Sequence, residues 1–341
     1  MRKQFRIVVR FMTGITILLA VILGLGSCKK AEDEDAAHKR WKLTMIKYEE
    51  MRQTMDAEKG FRSGLADAGL REGIDFEIVS RNAQGDVKTV LTLLDAVMVD
   101  GTDLLVSMQT PTFEPAVRRR TRMPLAFMVV ANPFVIPGVG TDDSAHNALL
   151  TGVYTNTQFD TLLAHIKRCM PGVRRIGSLA TNFELNATYY KNQLLVAGRR
   201  AGLEVELVGV QYRTSIPLDA EKLCASGIDA IVQIEDNLTS ATFPTIAKIA
   251  SDHRIPVFSF VNKQIEQGSI MVYAPDYEHA GRRTAALAAD IIRGESPEKL
   301  PFGRIEKFDF IINLDAARAA GVTIAPEVLA RADRIIDSTG P

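Results

Sequence analysis

Short apolar runs alternate with longer amphipathic segments along the chain from Trp41 onward. This alternation predicts buried strands that are each followed by a helix, which is typical of a parallel sheet covered by helices. The predicted strands cover residues 43–48, 76–80, 103–108, 124–131, 175–181, 205–210, 230–234 and 256–261. The predicted helices cover residues 56–69, 86–99, 157–170, 185–201, 240–252 and 276–293. Strand and helix pairs fall on both sides of about residue 153, so we expect an α/β fold with two doubly wound parallel-sheet lobes.

The segment before the first predicted strand has a different character. Basic residues precede an apolar run that begins at Phe11 and ends at a single cysteine, Cys28. A basic region, an apolar region and small residues before a cut form the export-signal pattern. A transmembrane anchor needs about 20 apolar residues, and this alternative stays open because the run is only slightly short. The letters LGSC that end the run are similar to the lipobox of bacterial lipoproteins, so we expect a signal peptide over 1–27, a lipidated Cys28 and a charged tether over 28–40.

Charge and motif content narrow the classes of function. The chain holds 41 basic and 41 acidic residues, so no net charge favours nucleic acid. The basic stretch at 118–122 is interpreted as the solvated end of a helix. The sequence has no G-x-S-x-G, H-E-x-x-H or P-loop pattern, and its five histidines lack metal-ligand spacing, so we expect no enzyme, no metal and no cofactor. Cys169 and Cys224 fit neither a metal site nor a redox pair, which leaves buried free thiols or one disulfide open.

Several blocks of the chain occur in the order found in a known family. The most specific of them are NAQGD at 82–86, Glu184-x-Asn186, Asp236-Asn237, and Asp276-Tyr277 followed by Gly281. With these blocks the chain resembles, from about residue 43 to 322, the ABC-transporter substrate-binding family that includes tryptophan and tyrosine uptake proteins.

The resemblance implies a type I periplasmic-binding-protein fold, in which the chain crosses three times between two lobes. We place the crossings near 152–154, 266–270 and 301–304. Lobe one would then cover 41–153 plus 268–301, and lobe two would cover 154–267 plus 302–336. Three adjacent linkers form a hinge, and we expect the lobes to close over a trapped ligand.

Candidate ligand contacts follow from position, because side chains beyond the carboxyl ends of parallel strands face the cleft. In lobe one these residues are Tyr48, Glu49, Gln109, Thr110, Thr112 and Asn132. In lobe two they are Asn182, Glu184, Asn186, Asp236, Asn237 and Asn262. The resemblance points to the same loops at 110, 184, 186, 236 and 237.

Chemistry suggests roles for some of these residues. Hydroxyls and backbone N–H groups near Thr110, Thr112 and Asn186 suit a ligand carboxylate. An ammonium group would need an acid, for which Asp236 or Glu184 is better placed than Glu49. Asp236 and Asn237 fit equally well as caps of the following helix.

Aromatic side chains lie near the same loops and suit a planar or cationic ligand. They are Tyr48, Phe113, Phe134, Phe183 and Phe260, of which Phe260 fits a strand core as well as the cleft. Relatives often carry Asp where this chain has Asn132, and a smaller residue where it has Gln109. A neutral amide cannot balance a positive charge, so an amino-acid ligand is a hypothesis at this stage.

These observations predict a lipid-anchored, extracytoplasmic, monomeric solute-binding protein. It would capture a small molecule, such as an aromatic or other amino acid, and deliver it to the permease and ATPase subunits of an ABC importer. The alternative is a sensing subunit that presents the bound solute to a membrane signalling protein. Lys29 and Lys30 follow the cysteine where an aspartate commonly retains lipoproteins at the inner membrane, so we expect attachment to the outer membrane if the cell has two.

Overall fold

A computed structural model describes residues 39–339 of the chain. The predicted signal peptide, Cys28 and most of the predicted tether lie outside the described residues. Within residues 39–339, no helix combines the length and the apolar character that crossing a membrane requires.

Five strands from the first half of the chain and one strand at residues 303–304 form a six-stranded sheet in the order β11-β5-β4-β3-β1-β2, and every paired neighbour in it is parallel. Its strands are β1 (Trp41–Lys47), β2 (Phe76–Asn82), β3 (Leu104–Met108), β4 (Leu125–Val130), β5 (Leu150–Tyr154) and β11 (Gly303–Arg304). Its helices are α1 (Arg52–Asp67), α2 (Val87–Val97), α3 (Thr110–Arg118) and α9 (Tyr277–Ile292). We call this sheet and these helices lobe one.

The remaining elements form lobe two around a seven-stranded sheet in the order β13-β12-β10-β9-β8-β6-β7. Its strands are β6 (Arg175–Thr181), β7 (Glu204–Val210), β8 (Ala230–Gln233), β9 (Val257–Ser259), β10 (Met271–Pro275), β12 (Phe308–Asn313) and β13 (Arg334–Ile336). Its helices are α4 (Phe159–Cys169), α5 (Leu185–Ala201), α6 (Ile216–Ala225), α7 (Asn237–Ala241), α8 (Phe243–Asp252), α10 (Leu314–Ala319) and α11 (Pro326–Leu329). The pairing of β10 with β12 is antiparallel, and the other pairings of this sheet are parallel.

Both sheets are buried on both faces, which explains why their strands are continuous apolar runs. In lobe one, Leu104 and Val106 pack with α1 and α9, whereas Leu105 packs with α2 and α3 on the opposite face. In lobe two, Val232 and Ile231 divide in the same way between two clusters. Each lobe therefore has two apolar layers, and the polar ends of its strands are left for the loops between the lobes.

The chain passes between the lobes in three segments, 155–158, 276 and 305–307, which lie just beyond strand ends. We predicted the crossings at 152–154, 266–270 and 301–304, each earlier along the chain. The difference is largest at the second crossing, where the segment 271–275 forms β10 and pairs with β9 and β12 of lobe two.

The three crossing segments are bonded to one another. Pro275 pairs with Phe308, and the N–H of Asp276 donates to the carbonyl oxygen of Lys307 at 2.9 Å. The Lys307 ammonium also lies 2.8 Å from the Asp276 carboxylate. The N–H of Ile305 donates to the carbonyl oxygen of Tyr154 at 3.0 Å, which joins the third segment to the first.

Helix α9 reaches lobe one across a crossing segment and packs closely on α1. A Cβ at Gly281 would lie 2.1 Å from the backbone oxygen of Ala57, and a Cβ at Gly60 would lie 2.0 Å from that of Glu278. Only glycine permits this approach of two helix backbones. The glycines therefore fix α9 within lobe one although the strand before it belongs to lobe two.

Candidate functional site

The loops at the carboxyl ends of both sheets meet between the lobes, and the lobes are in contact there. The Gln109 side-chain N–H donates to Asn237 Oδ1 at 3.0 Å, which joins the start of α3 to the start of α7. Leu185 at the start of α5 packs on the apolar cluster of lobe one, and Ala131 after β4 packs on that of lobe two. The lobes are therefore closed on each other.

Gln109 connects the two sides and has an unusual backbone. It lies between β3 and α3 with φ 73° and ψ 148°, a conformation that side-chain-bearing residues rarely adopt. Its side-chain oxygen accepts from the N–H groups of Tyr48 and Glu49, both at 3.0 Å. Only 2% of Gln109 is exposed. The side-chain amide of this strained residue thus accepts from the backbone N–H groups that follow β1 and donates to Asn237 of lobe two.

Val129 in β4 shares this strain. Its φ is 59°, an outlier for a β-branched residue, and the pairing of β4 with β5 shifts register between Phe127 and Val130. The N–H of Gln109 donates to the carbonyl oxygen of Met128 at 3.1 Å, so the two strained positions are neighbours. Lobe one therefore faces the cleft with a bent, hydrogen-bonded backbone.

Glu184 lies on the lobe-two side, directly before α5. One of its oxygens accepts from the side-chain N–H groups of Asn237 at 2.6 Å and Asn186 at 3.1 Å. The residue is 6% exposed. Burial, followed by the neighbouring Asp236 carboxylate, raises the pKa of Glu184 to about 8.

Glu235 is a second buried acid that the sequence did not single out. One oxygen accepts from the Tyr277 hydroxyl at 2.9 Å, and the other accepts from the Thr157 hydroxyl at 3.0 Å. Burial raises the pKa of Glu235 to about 7, although hydroxyls of Tyr277, Thr157 and Tyr190 favour its charged form. Its position just beyond β8, beside the predicted Asp236, was the signal that could have identified it.

Asp236 is held mainly by its own lobe. One carboxylate oxygen accepts from the N–H and the hydroxyl of Thr181, at 2.8 and 2.7 Å. The other accepts from the N–H of Thr239 at 2.7 Å and caps α7. The helix-cap interpretation of this residue is therefore confirmed, and little of its hydrogen-bonding capacity faces the cleft.

A small cavity of about 20 Å³ lies between the lobes at this point. Its lining combines side chains of both lobes: Gln53, Gln109, Thr110, Val129, Ala131, Asn186, Tyr190, Glu235, Asp236, Asn237 and Tyr277. These lining residues include two acids but no lysine, arginine or histidine. The Asn186 side-chain oxygen is buried, and none of the described residues donates a hydrogen bond to it. The cavity thus offers acceptors and negative charge without a matching cation.

A wider opening of about 700 Å³ lies on the Glu184 side and forms the cleft mouth. Tyr48 and Glu49 of lobe one and Phe183, Glu184 and Arg213 of lobe two contribute to it. The Arg213 guanidinium lies 3.1 Å from the Glu49 carboxylate, so an ion pair spans the mouth.

The structure brings together eight of the twelve predicted contacts. Gln109, Thr110, Asn186, Asp236 and Asn237 line the cavity, and Tyr48, Glu49 and Glu184 line the mouth.

The other four lie apart from both sets. The Thr112 hydroxyl is buried against Ser107 and Met108, Asn132 caps a short 3-10 turn, and Asn182 is exposed. Asn262 donates to Asp309 in another polar pocket, of about 450 Å³, which shares Gln53 and Tyr277 with the cavity.

The predicted aromatic set divides as well. Phe113 and Phe260 are fully buried in the two lobe cores, and Phe183 is 60% exposed at the mouth. Tyr190 and Tyr277 line the cavity instead, and Tyr277 connects Glu235 to the start of α9. Cys169 and Cys224 are free thiols, which decides against the disulfide alternative.

Comparison with known proteins relates this arrangement to a family. The family model described as ABC transporter substrate binding protein matches residues 45–336. The tyrosine-binding protein of Clostridioides difficile (strain R20291) is 23% identical over 319 residues, which cover 93% of this chain and 92% of that protein.

Solved structures share the fold. A domain from Streptococcus pneumoniae in complex with L-Trp has a TM-score of 0.83 at 23% identity, covering 87% of this chain and all of that one. A ligand-free, open structure of a substrate-binding protein with adhesive properties from Clostridium difficile has a TM-score of 0.67 at the same identity and coverage.

Proposed function

Because the chain belongs to the ABC transporter substrate-binding protein family, we propose that it captures an amino acid between its lobes and delivers it to an ABC importer. It has the type I periplasmic-binding-protein fold, and its family comprises solute-binding proteins that work outside the cytoplasm, so it is a binding protein and not an enzyme. The observation that carries the proposal is the polar cavity built by both lobes. Relatives that bind tyrosine and L-Trp support an aromatic amino acid as the ligand.

The ligand would enter while the lobes are apart. Small-molecule pockets enclose about 300–1,000 Å³, whereas the closed arrangement leaves about 20 Å³. Rotation about the hinge would separate Gln109 from Asn237 and open the cavity toward the mouth. The amides of Asn186 and Asn237 and the hydroxyl of Thr110 then supply donors and acceptors for the polar end of an amino acid.

Calorimetry of the chain without its predicted signal peptide tests the ligand class. Titration with L-tyrosine, L-tryptophan and a set of other metabolites should give saturable heat for an amino acid, and an absence of heat with every amino acid would overturn the proposal. Asn237→Ala should weaken binding about tenfold, since a buried hydrogen bond of this kind contributes about 1.4 kcal/mol. Asn182→Ala is the matched control, because Asn182 is exposed outside the cavity, and its affinity should stay unchanged.

We further propose that Cys28 carries lipid and holds the protein at the membrane, on the outer membrane if the cell has two. The support is the sequence alone: an apolar run, small residues and then a cysteine followed by charged residues. Stable anchoring takes more than one acyl chain, which a modified N-terminal cysteine can carry. Cys28→Ala should move the protein out of the membrane fraction with ligand affinity unchanged, and an unaltered fractionation would contradict this assignment.

A further inference from the structure

Two buried acids face the cleft from lobe two, and no cation among residues 39–339 is bonded to either of them. Glu184 and Glu235 are 6% and 7% exposed. Their hydrogen-bond partners are amides and hydroxyls, all of which are neutral. An ionised carboxylate buried without an opposite charge is costly, and the cost falls when the group binds a proton or a cation.

Lobe closure contributes to the burial of both acids. The Tyr277 hydroxyl that bonds Glu235 belongs to α9 of lobe one. Glu184 lines the mouth opposite Tyr48 of lobe one, and its partner Asn237 is bonded to Gln109 across the cleft. Separating the lobes therefore returns water to both carboxyl groups.

In the described part of the chain, the titratable groups next to the two acids are acids and phenols, which do not supply the missing positive charge. Asp236 and the phenol of Tyr48 face Glu184, and the phenols of Tyr190 and Tyr277 face Glu235.

Two cations near the cleft have other partners. Arg213 at the mouth pairs with Glu49. The Lys191 ammonium donates to the Thr181 carbonyl oxygen and to Asn182.

We propose that Glu184 and Glu235 act as a charge gate: they oppose closure of the lobes without ligand at neutral to alkaline pH and allow it when the ligand brings an ammonium group into the cleft. The ligand's ammonium group, whose presence rests on the proposed function, takes the place of the protons that Glu184 and Glu235 would otherwise bind when the lobes close. The acceptor oxygen of Asn186 beside the cavity supports it, because this oxygen is buried and no group within residues 39–339 donates to it.

The pH dependence of lobe closure has a definite sign, because proton binding and closure are thermodynamically linked. In the closed arrangement the pKa of Glu184 is about 8 and that of Glu235 about 7, against ordinary values near 4.5. The closed form therefore holds more protons than the open form between about pH 4.5 and 8. Lowering the pH through this range favours closure, and raising it favours opening.

Small-angle X-ray scattering of the protein without ligand tests the gate. The radius of gyration should increase between pH 6 and pH 9 as the lobes open. The double variant Glu184→Gln plus Glu235→Gln should keep one radius across the range, because its amides do not titrate. Asp219→Asn is the matched control: Asp219 is a buried acid of lobe two bonded to Ser215, outside the cleft, and this variant should open like the wild type. A radius of the wild type that does not change with pH would overturn the gate, whether or not the variants fold.

Ligand charge is tested at pH 8 with L-tyrosine and with 3-(4-hydroxyphenyl)propanoate, which lacks the ammonium group. L-Tyrosine should close the lobes with little proton uptake, measured by calorimetry in two buffers of different ionisation enthalpy. The analogue should bind at least tenfold more weakly and take up protons on binding. Equal affinity and equal proton counts would overturn the ammonium assignment. If the lobes open with pH but no amino acid binds, the gate is supported and the proposed ligand class fails.

Discussion

The two sides of the cleft contribute different things to the site. Lobe one presents a strained backbone at Gln109 and Val129, and its cavity-lining side chains are neutral. Lobe two presents the acids Glu235 and Asp236 at the cavity, and Glu184 is a neighbour of Asp236. A strained backbone persists only where the surrounding structure holds it rigidly, whereas the free energy of a buried charge depends on whether a proton or a cation binds beside it. Lobe one therefore acts as the fixed side of the site and lobe two as the responsive side.

Disrupting the close packing of α1 and α9 in lobe one should have the largest effect on stability. Gly281→Ala places a Cβ 2.1 Å from the Ala57 backbone oxygen, so α9 must shift away from α1. We expect a loss of about 3 kcal/mol in the free energy of unfolding, measured by urea denaturation, because overpacked cores lose about 1–3 kcal/mol or more. Gly172→Ala is the control, since nothing lies within 4 Å of a Cβ there, and it should change stability by less than about 0.5 kcal/mol. Equal stability of the two variants would contradict the close helix contact.

Strain at Gln109 can be separated from its hydrogen bonds by two substitutions. Gln109→Ala removes the acceptor of the Tyr48 and Glu49 N–H groups and keeps a side chain at φ 73°, so we expect a loss of about 2 kcal/mol. Gln109→Gly loses the same bonds but relaxes the backbone, and it should be more stable than Gln109→Ala by about 1 kcal/mol. In an unstrained site alanine is the more stable of the two, so that order in the urea midpoints would contradict the strain.

The ion pair across the mouth should have the smallest effect. Arg213 is half exposed where it meets Glu49, and exposed pairs contribute about 0–1 kcal/mol. Arg213→Gln should weaken ligand binding by less than about fivefold. The difference from wild type should shrink as salt is added, which calorimetry at low and high ionic strength would show. A larger, salt-independent loss would mean that Arg213 contacts the ligand directly.

The regular elements could be predicted well from the sequence, because strands buried on both faces leave a clear apolar pattern. The predicted bounds of β6 and α5 agree with the structure, as does the α/β fold with two parallel-dominated sheets. Strands near the hinge were missed, including β5, β10 and β12. These strands lie beside crossing segments, where neither a turn signal nor a change in composition marks which sheet they join.

The site could be predicted only in part. A polar residue at a strand end indicates the cleft, and this rule placed Gln109, Asn186 and Asn237 at the cavity. It missed Glu235, which stands next to a better cap residue, and Tyr277, which reads as an ordinary helix position. Contacts between lobes depend on how two independent sheets meet, and that relation leaves no periodic signal in the sequence.

The bonded crossing segments bear on how the lobes can move. Three independent linkers would let two bodies bend, twist and slide, but here the Asp276–Lys307 and Tyr154–Ile305 bonds tie the segments into one ribbon. We expect such a ribbon to resist shear and stretching and to leave one soft rotation between the lobes. Closure by this single rotation would bring Gln109 and Asn237 together in the same register each time.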